Sequence, residues 1–251
     1  MEHDAGKPAE IAQLIENAGV AKAKMPFGQT FTLAMLAGAF IGFGGAAYLM
    51  VMTGADPGFG PHRLLGGVAF SLGLILCIIG GAELFTGNAP MVMAVVDRKI
   101  GSGALFRNRG AVYVGNLVGA VGLALAFSLT GLLQAPFGET AAKVAMTPLV
   151  YLATGALCNA LVCLAVWLTF SSRDTTGKIL AILWPITTFV LLGLEHSIAN
   201  MFLIPLGYLV GADIAPGPAV AALFWVTLGN IIGGAGGVAL AYRYAYLGGR
   251  A

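Results

Sequence analysis

The sequence predicts an all-α protein that crosses a membrane several times, and three observations support this fold class. Apolar residues make up 58% of the 251 positions and charged residues only 10%, whereas a soluble domain carries about 25% charged residues. The mean hydropathy is +0.88, and apolar runs long enough for a membrane-crossing helix, about 20 residues, recur along the chain. The 37 glycines and 11 prolines are too many for a simple bundle and indicate close helix packing or broken helices.

Charge and cysteine content exclude several other classes of protein. A net charge of +2 leaves no basic field large enough to hold a nucleic acid. The three cysteines all lie within apolar segments, so they predict neither a disulfide framework nor a metal site, and we expect no cofactor. The sequence contains no phosphate-binding loop, nucleophile elbow or HExxH motif, which argues against ATP hydrolysis and proteolysis.

The first 26 residues differ from the rest because lysine and glutamate are interleaved with apolar residues such as Ile11 and Ile15. They have neither the uninterrupted apolar core nor the cleavage-like ending of a signal peptide. We therefore predict a short amphipathic cytoplasmic helix within residues 1–26 that lies along the membrane surface. A transmembrane pore domain over residues 27–246 and a C-terminal tail over residues 247–251 complete the predicted organisation.

Apolar runs between the charged residues predict six crossings of the membrane. They cover residues 29–52, 64–96, 108–133, 147–170, 179–209 and 219–245. The second and fifth runs are too long for one straight crossing at about 1.5 Å per residue. Each of these two runs also contains glycine and polar residues near its middle. We therefore predict that the second and fifth helices are broken inside the membrane.

The positive charges predict the orientation of these crossings. Of the 13 lysines and arginines, 11 lie before the first crossing, after the last, or between crossings two and three or four and five. Only Arg63 and Lys143 lie on the opposite side. By the positive-inside rule, both termini are cytoplasmic, and we expect a multi-pass protein of a bacterial-type inner membrane.

The chain contains an internal repeat. The pattern G-x-E-x-x-x-x-N occurs at residues 81–88 and again at 193–200, and the pattern G-N-x-x-G follows at residues 115–119 and 229–233. From the glutamate of the first pattern to the asparagine of the second there are 33 residues in one copy and 35 in the other. Two matches in the same order at the same spacing indicate a duplicated unit.

Each copy of this repeat, at about residues 29–133 and 147–245, holds three crossings, so the second copy must cross the membrane in the opposite sense. Inverted three-helix repeats with a discontinuous helix in each are a known transporter architecture, in which the site lies where the two breaks meet. Backbone without helical hydrogen bonds survives at that depth only if protein or a water-filled cavity satisfies its polar groups. We therefore expect the functional site at the two breaks.

Three ionisable residues lie in the breaks. Of the 11 acidic residues, only Glu83 and Glu195 lie deep in the predicted crossings. Because they are repeat-related, we interpret them as carboxylates that accept hydrogen bonds from backbone N–H groups of their own loops, with a direct role in substrate binding as the alternative. His196 has Leu84 as its repeat counterpart and is therefore not part of a shared scaffold. It could donate a hydrogen bond or a proton to a passing anion, and a satisfied core histidine is the alternative.

Further polar and apolar residues of the crossings are weaker candidates. Neutral polar groups pack helices together as often as they bind ligands, and those in the apolar runs include Thr86, Asn88, Asn116, Asn159, Asn200 and Asn230. Large apolar residues that could narrow a pore, and that could equally face lipid or the core, are Phe70, Leu74, Phe85, Val162 and Phe189.

Four motifs make the chain resemble the formate–nitrite transporter family. They are GAELFTGN, GALCNALVCLAVW, GLEHSIANMFLIPLG and VTLGNIIGG, and the similarity extends over residues 8–245. The resemblance implies an aquaporin-like fold of six spans that assembles as a homopentamer in the lipid membrane, with one pore per protomer. It also implies that Leu84, Phe85 and Thr86 form a loop in the broken second helix, and that this loop faces His196 of the broken fifth.

The resemblance further implies two hydrophobic constrictions. One would be formed by Phe70, Leu74 and Phe189, and Phe85 and Val162 would contribute to the other. Such constrictions impose a large desolvation penalty on a bare monovalent anion, because an isolated charge is very costly in a low dielectric. Neutralising the anion removes most of that penalty, so a weak acid that accepts a proton would pass.

Polar residues around the constrictions are implied in the same way. Asn159 and Asn230 would supply polar contacts near His196, which would lie between the constrictions as a proton donor or electrostatic attractor. Lys143 would be a basic residue at the outer vestibule, where positive potential concentrates anions.

The leading hypothesis is a passive or proton-linked channel for formate and similar small anions, with protons as the second partner. ANMFLIPLG resembles the formate branch of the family, whereas FTGN and WVTLGN resemble the nitrite branch. Nitrite therefore stays open as a substrate, as do hydrosulfide, acetate and lactate. A membrane-embedded acid–base enzyme using His196 and Glu195 is a remote alternative, because adjacent helical positions point about 100° apart. A purely structural scaffold leaves the two breaks unexplained.

Overall fold

We describe the structure from a computed structural model, over residues 6–56, 58–130 and 147–248. The elements of these ranges are helices. In chain order the α-helices are α1 (Pro8–Lys24), α2 (Phe27–Met52), α3 (Gly60–Phe70), α4 (Leu72–Ile79), α5 (Val92–Val96), α6 (Ser102–Thr130), α7 (Pro148–Ser171), α8 (Thr175–Leu191), α9 (Ser197–Leu209), α10 (Pro216–Ile231) and α11 (Leu240–Leu247). A 3-10 turn at Ala89–Met91 precedes α5, and a π-helical stretch at Ile232–Ala239 joins α10 to α11.

Five helical segments of the described residues are long and apolar enough to cross a membrane. They are α2, the continuous pair α3 and α4, α6, α7, and the continuous stretch from α10 to α11. Two shorter apolar helices, α8 and α9, follow one another between α7 and α10. The all-helical fold class is therefore confirmed.

The two predicted helix breaks are present, and their boundaries follow the repeated motifs. The second run is helical to Ile79 and resumes with the 3-10 turn at Ala89–Met91, whereas the fifth is interrupted only between Leu191 and Ser197. The third helix begins at Ser102, six residues before the predicted start. Arg109, which we had counted among the charges of a connecting loop, therefore lies inside α6. The π-helical stretch in the last apolar run was not predicted.

The repeated G-N-x-x-G motif explains how the long helices pack in pairs. A side chain at Gly119 of α6 would overlap the Met35 carbonyl of α2, and a side chain at Gly233 would overlap the Ala156 carbonyl of α7. Only glycine permits backbones to approach this closely, which is how helices pack where lipid removes the hydrophobic drive between them. The pair of α2 with α6, and the pair of α7 with the continuous stretch from α10 into the π-helical residues, therefore have the same contact in both copies of the repeat.

Helix α1 packs on the other helices of the protein; its predicted position along the membrane surface stays a prediction. Its apolar face, including Ile11, Ala12 and Ile15, is buried in one cluster with Trp167 and Leu247. Two ion pairs add to this packing. One joins Glu16 to Lys99 at 2.5 Å, and the other joins Lys22 to Glu83 of the first break. The N-terminal helix therefore contacts one of the two breaks directly.

The start of α8 has a conventional polar cap outside the bundle. Asp174 precedes the helix, and its carboxylate accepts a hydrogen bond from the Gly177 N–H at 2.8 Å. This backbone hydrogen bond holds the pKa of Asp174 below its usual range. A charged cap at a helix N-terminus also interacts favourably with the helix dipole, so the first half of the broken fifth helix begins at a defined residue.

Candidate functional site

Both broken helices end on a glycine in the left-handed conformation. Gly81 has φ 76° and Gly193 has φ 69°, a region that other residues enter only with strain. The residue after each glycine donates its N–H to a carbonyl of the last helical turn, at 2.8 Å for Ala82 and 2.9 Å for Leu194. Such a Schellman-type ending satisfies carbonyls that would otherwise be exposed at the end of the helix. The two helices are therefore stopped by the same device.

The first break is held by the side chain of Asn116 on α6. Its Nδ2 donates to the carbonyls of Glu83 at 2.9 Å and Ala34 at 2.8 Å. Its Oδ1 accepts the N–H of Phe85 at 2.9 Å. One fully buried amide therefore satisfies backbone groups on both sides of Leu84, in a region where helical hydrogen bonds are missing.

The second break is held in the same way by Asn230. Its Nδ2 donates to the carbonyls of Gly155 at 2.8 Å and Glu195 at 3.1 Å, and its Oδ1 accepts the N–H of Ser197 at 2.9 Å. Three hydrogen bonds thus correspond one by one between the two copies of the repeat. We call each of these asparagines, with its three hydrogen bonds, the bracket of its break. The residue between the bonded backbone groups is Leu84 in the first copy and His196 in the second.

The two glutamates bind the asparagine at the end of their own motif. Asn88 donates to Glu83 Oε2 at 2.7 Å, and Asn200 donates to Glu195 Oε2 at 2.8 Å. We had expected backbone N–H donors, but the recorded donors are these amide side chains and, for Glu83, the ammonium group of Lys22. The loops themselves are held by the asparagines of α6 and α10.

His196 connects the two breaks. Its Nε2 lies 2.9 Å from Thr86 Oγ1, and its Nδ1 accepts the N–H of Ala199 at 3.1 Å, which caps α9. Because Nδ1 is the acceptor, the neutral ring carries its hydrogen on Nε2 and donates it to Thr86. The ring also stacks on Phe189, with centroids 5.9 Å apart. A doubly protonated ring could not accept the Ala199 N–H, so charging His196 requires breaking the cap.

A cavity of about 610 Å³ extends to His196. Its polar and charged side chains come from four helices, the second break and the segment after α9: Tyr48, Arg63, Tyr151, Glu195, His196, Asn200 and Asp213. Arg63 is the one basic side chain among the described residues that line it, and a Cβ on Gly193 would lie 2.7 Å from its Nη2. The guanidinium therefore lies directly over the glycine of the second break.

The residues predicted for the constrictions all belong to one buried apolar cluster: Phe70, Leu74, Phe85, Val162 and Phe189. Leu84, predicted as part of the loop that faces His196, belongs to the same cluster. Phe70 and Phe189 line the cavity and meet edge to face with centroids 5.5 Å apart. Leu84 and Phe85 directly precede Thr86 in the first break and are not among the lining residues of the cavity.

The remaining predicted residues have mixed outcomes. Asn159 donates to the carbonyl of Asn230 at 2.6 Å, so it supports the bracket of the second break, and no hydrogen bond to His196 is recorded for it. Lys143 lies outside the described residues. Within the described ranges, no group of three His, Cys, Asp or Glu residues could hold a metal ion.

Sequence reasoning missed several residues of this region. Asn116 was noted only as a polar group of a crossing, although its place in the repeated G-N-x-x-G motif was a signal. Arg63, Lys22 and Arg109 were counted only as topological charges. Arg109 in fact donates to the Phe85 carbonyl at 2.8 Å, and its guanidinium carbon lies 3.8 Å from the centroid of the Phe85 ring.

Two polar helix breaks that meet inside an apolar helical bundle are characteristic of membrane transport proteins. Residues 9–244 match the sequence profile of the family described as "Formate/nitrite transporter". The chain belongs to this family of channels and transporters, and it is therefore a multi-pass membrane transport protein and not an enzyme.

Individual relatives cover nearly the whole chain. The probable formate transporter of Methanothermobacter thermautotrophicus is 40% identical over 96% of this chain and 97% of the relative. The formate channel FocA of Escherichia coli (strain K12) is 38% identical over 96% of this chain and 94% of the relative. A solved structure described as a pentameric formate channel with formate bound is 37% identical, covers 88% of this chain and 98% of that chain, and has a TM-score of 0.77.

Proposed function

We propose that the protein is a membrane channel for small monovalent anions, passive or proton-linked, with formate as the preferred substrate. The relatives named as formate transporter and formate channel support this substrate, as does the similar structure described as holding formate. The family description includes nitrite, so nitrite is the second candidate, and hydrosulfide is a third that the same assay tests.

The proposed membrane arrangement has six crossings, with both termini in the cytoplasm of a cell with a bacterial-type inner membrane. In it, the broken second crossing consists of α3 with α4 before the break and of the 3-10 turn with α5 after it, and α8 with α9 forms the broken fifth. Helix α1 belongs to the cytoplasmic segment 1–26, residues 27–246 form the pore domain, and residues 247–251 are a tail. We propose a homopentamer with one pore per protomer, in line with the pentameric similar structure.

The observation that carries the proposal is the hydrogen bond between Thr86 and His196. It joins the two breaks at 2.9 Å inside an otherwise apolar cluster, and the cavity reaches it from one side. A small anion arriving there replaces the Thr86 hydroxyl as the acceptor of the Nε2–H, which gives it a charge-assisted hydrogen bond in a low dielectric. Asn230 holds the backbone on both sides of this histidine.

The same geometry restricts how a proton reaches the anion. If neutral His196 gave its Nε2 hydrogen to the anion, an imidazolate would remain, which is far too basic to persist. If the ring were protonated first, the bond from the Ala199 N–H to Nδ1 would be lost. We therefore propose that His196 acts as a hydrogen-bond donor, and that a proton-linked cycle takes its proton from water or acid in the cavity.

Two apolar barriers flank this donor in the proposed pore. Phe70 and Phe189, with Leu74, form the barrier on the cavity side of His196, and Phe85, with Leu84 and Val162, forms the barrier on the opposite side. Each barrier excludes a bare charge and passes an anion that is neutralised or held by His196. Arg63, which lines the cavity, attracts anions to the first barrier, and Lys143 would add to this potential.

Proteoliposomes test this function directly. Flux of formate, nitrite and hydrosulfide is measured in parallel at two pH values. We expect formate flux well above that of empty vesicles, and the fastest flux for formate. An increase of flux at the lower pH identifies proton linkage, whereas pH-independent flux identifies a passive channel. Flux no greater than that of empty vesicles for all three substrates would refute the proposed function.

A further inference from the structure

Arg109 differs from the other basic residues near the first break. Lys22 is paired with the carboxylate of Glu83. Arg107 is exposed and donates to the Ala23 carbonyl at 2.8 Å. Arg109 is partly buried, and none of the ion pairs recorded for the described residues involves it. A guanidinium in this position needs another partner to offset the loss of water.

Both contacts recorded for the Arg109 guanidinium are with one residue, Phe85. Nη1 donates to the Phe85 carbonyl at 2.8 Å, and the guanidinium carbon lies 3.8 Å from the ring centroid. Hydrogen bonds from a cation are stronger than neutral ones, and a cation over an aromatic face is attracted by the quadrupole of the ring. Backbone and side chain of Phe85 are thus held by the same group.

The Phe85 ring also contacts Tyr113, one turn further along α6 from Arg109. The two rings meet edge to face, with centroids 4.9 Å apart at an interplanar angle of 69°. The Tyr113 hydroxyl is hydrogen-bonded to Thr227 Oγ1 on α10 at 3.1 Å. The position of Phe85 is therefore defined by two neighbours on α6, one of which is bonded to the second copy of the repeat.

We propose that Arg109 is a positioning residue of the inner constriction, the apolar barrier around Phe85. Its guanidinium fixes the Phe85 backbone and ring, and thereby sets the width of the barrier on the side of His196 away from the cavity. This inference rests on the proposed function, because it takes Phe85 to be part of the pore. It assigns to Arg109 a role in size selection between anions.

A looser Phe85 ring admits larger anions, whereas formate, the smallest carboxylate, is less restricted by it. The measurement is therefore the ratio of acetate flux to formate flux in proteoliposomes. We expect Arg109→Met to raise this ratio about three- to tenfold, because the Phe85 ring moves more freely once the cation–π contact and the hydrogen bond are lost. Arg109→Lys keeps the charge but not the planar fork, so we expect an intermediate ratio.

Arg107→Met is the matched control, because it removes a neighbouring arginine of α6 that does not contact Phe85. We expect its flux ratio to equal that of the wild type. The Phe85→Ala variant tests the route of the effect. In that background Arg109→Met should change the ratio no further, because coupled residues are non-additive.

The possible failures are distinguishable. If wild-type vesicles conduct formate but Arg109→Met keeps the wild-type ratio, the inference about Arg109 is overturned and the proposed function stands. The inference would also be overturned if Arg109→Met raised the flux ratio equally in the wild-type and in the Phe85→Ala background. If Arg109→Met does not assemble, Arg109→Lys decides, and a wild-type ratio in that variant contradicts the inference. Wild-type vesicles without flux overturn both proposals.

Discussion

The two helix breaks have the same backbone frame and differ at the residue that the frame encloses. In both, a left-handed glycine ends the helix, and an asparagine of the following long helix makes the same three hydrogen bonds. The enclosed residue is Leu84 in the first break and His196 in the second. The duplicated frame thus leaves one position at which the side chain differs between the two copies. At that position only the second break has a side chain that donates a hydrogen bond.

The surroundings of the two glutamates differ as well. Glu83 is 3% exposed and is paired with Lys22 of α1. Glu195 lines the cavity together with Arg63, and none of the ion pairs recorded for the described residues involves it. The first break is therefore covered by the N-terminal helix, whereas the second is open to the cavity. Four sets of substitutions test how far this difference extends.

The largest effect is expected for the asparagines that both breaks share. Asn230→Leu leaves the Glu195 carbonyl and the Ser197 N–H without the partners that they have in the wild type, and each costs about 1–3 kcal/mol. We therefore expect a loss of at least about 2 kcal/mol in stability, seen as a large fall in thermal midpoint or as failure to assemble. Asn116→Leu should have a similar effect. If only one of these two asparagine variants lost stability, the two frames would not be equivalent.

The next largest effect is expected at the position where the breaks differ. His196→Phe should lower formate flux by about tenfold or more, the loss expected from removing one hydrogen bond to a charged group. His196→Asn is the matched variant, because its amide oxygen can still accept the Ala199 N–H and cap α9. We expect similarly low flux but higher thermal stability for His196→Asn. Wild-type flux in both variants would remove His196 from the mechanism.

A smaller difference is expected between the two glutamates. Glu83→Gln leaves the Lys22 ammonium without its partner, and because this lysine is partly exposed we expect a loss of about 2 kcal/mol. Glu195→Gln keeps an oxygen for Asn200 and removes no ion pair, so we expect less than about 1 kcal/mol. Thermal unfolding in detergent measures both. Adding Lys22→Met to Glu83→Gln should restore part of the lost stability. If Glu83→Gln and Glu195→Gln lowered the stability equally, the proposed difference between the two glutamates would be contradicted.

The smallest effect is expected for Arg63 in the cavity. Arg63→Met should lower formate flux about two- to fivefold at low substrate concentration and low ionic strength, because the positive charge concentrates anions at the cavity. The loss should shrink as salt is added, since screening weakens the attraction in the wild type. If the loss of formate flux did not depend on the salt concentration, Arg63 would act through its packing over Gly193 and not through its charge.

Much of the frame was predictable because its signals are local. The left-handed glycines, the glutamates and the bracket asparagines recur at matched spacing, and apolar runs mark the helices. Contacts between residues far apart in the sequence were harder to predict. The contact between α1 and the bundle depends on Trp167 and Leu247, far away in sequence. The role of Arg109 was missed because a charge at the end of an apolar run has the same pattern whether it lies in a loop or over an aromatic ring.

The sequence by itself determined the helical class, the two breaks and the singular position of His196, because hydropathy and an internal repeat are properties of the chain alone. Only the tertiary structure decided which atoms meet there. The bond from His196 to Thr86 joins residues 110 positions apart, and the tautomer of the ring depends on which nitrogen faces the Ala199 N–H. Hydrogen bonds are directional and short-ranged, so such contacts depend on packing between helices that no local pattern encodes.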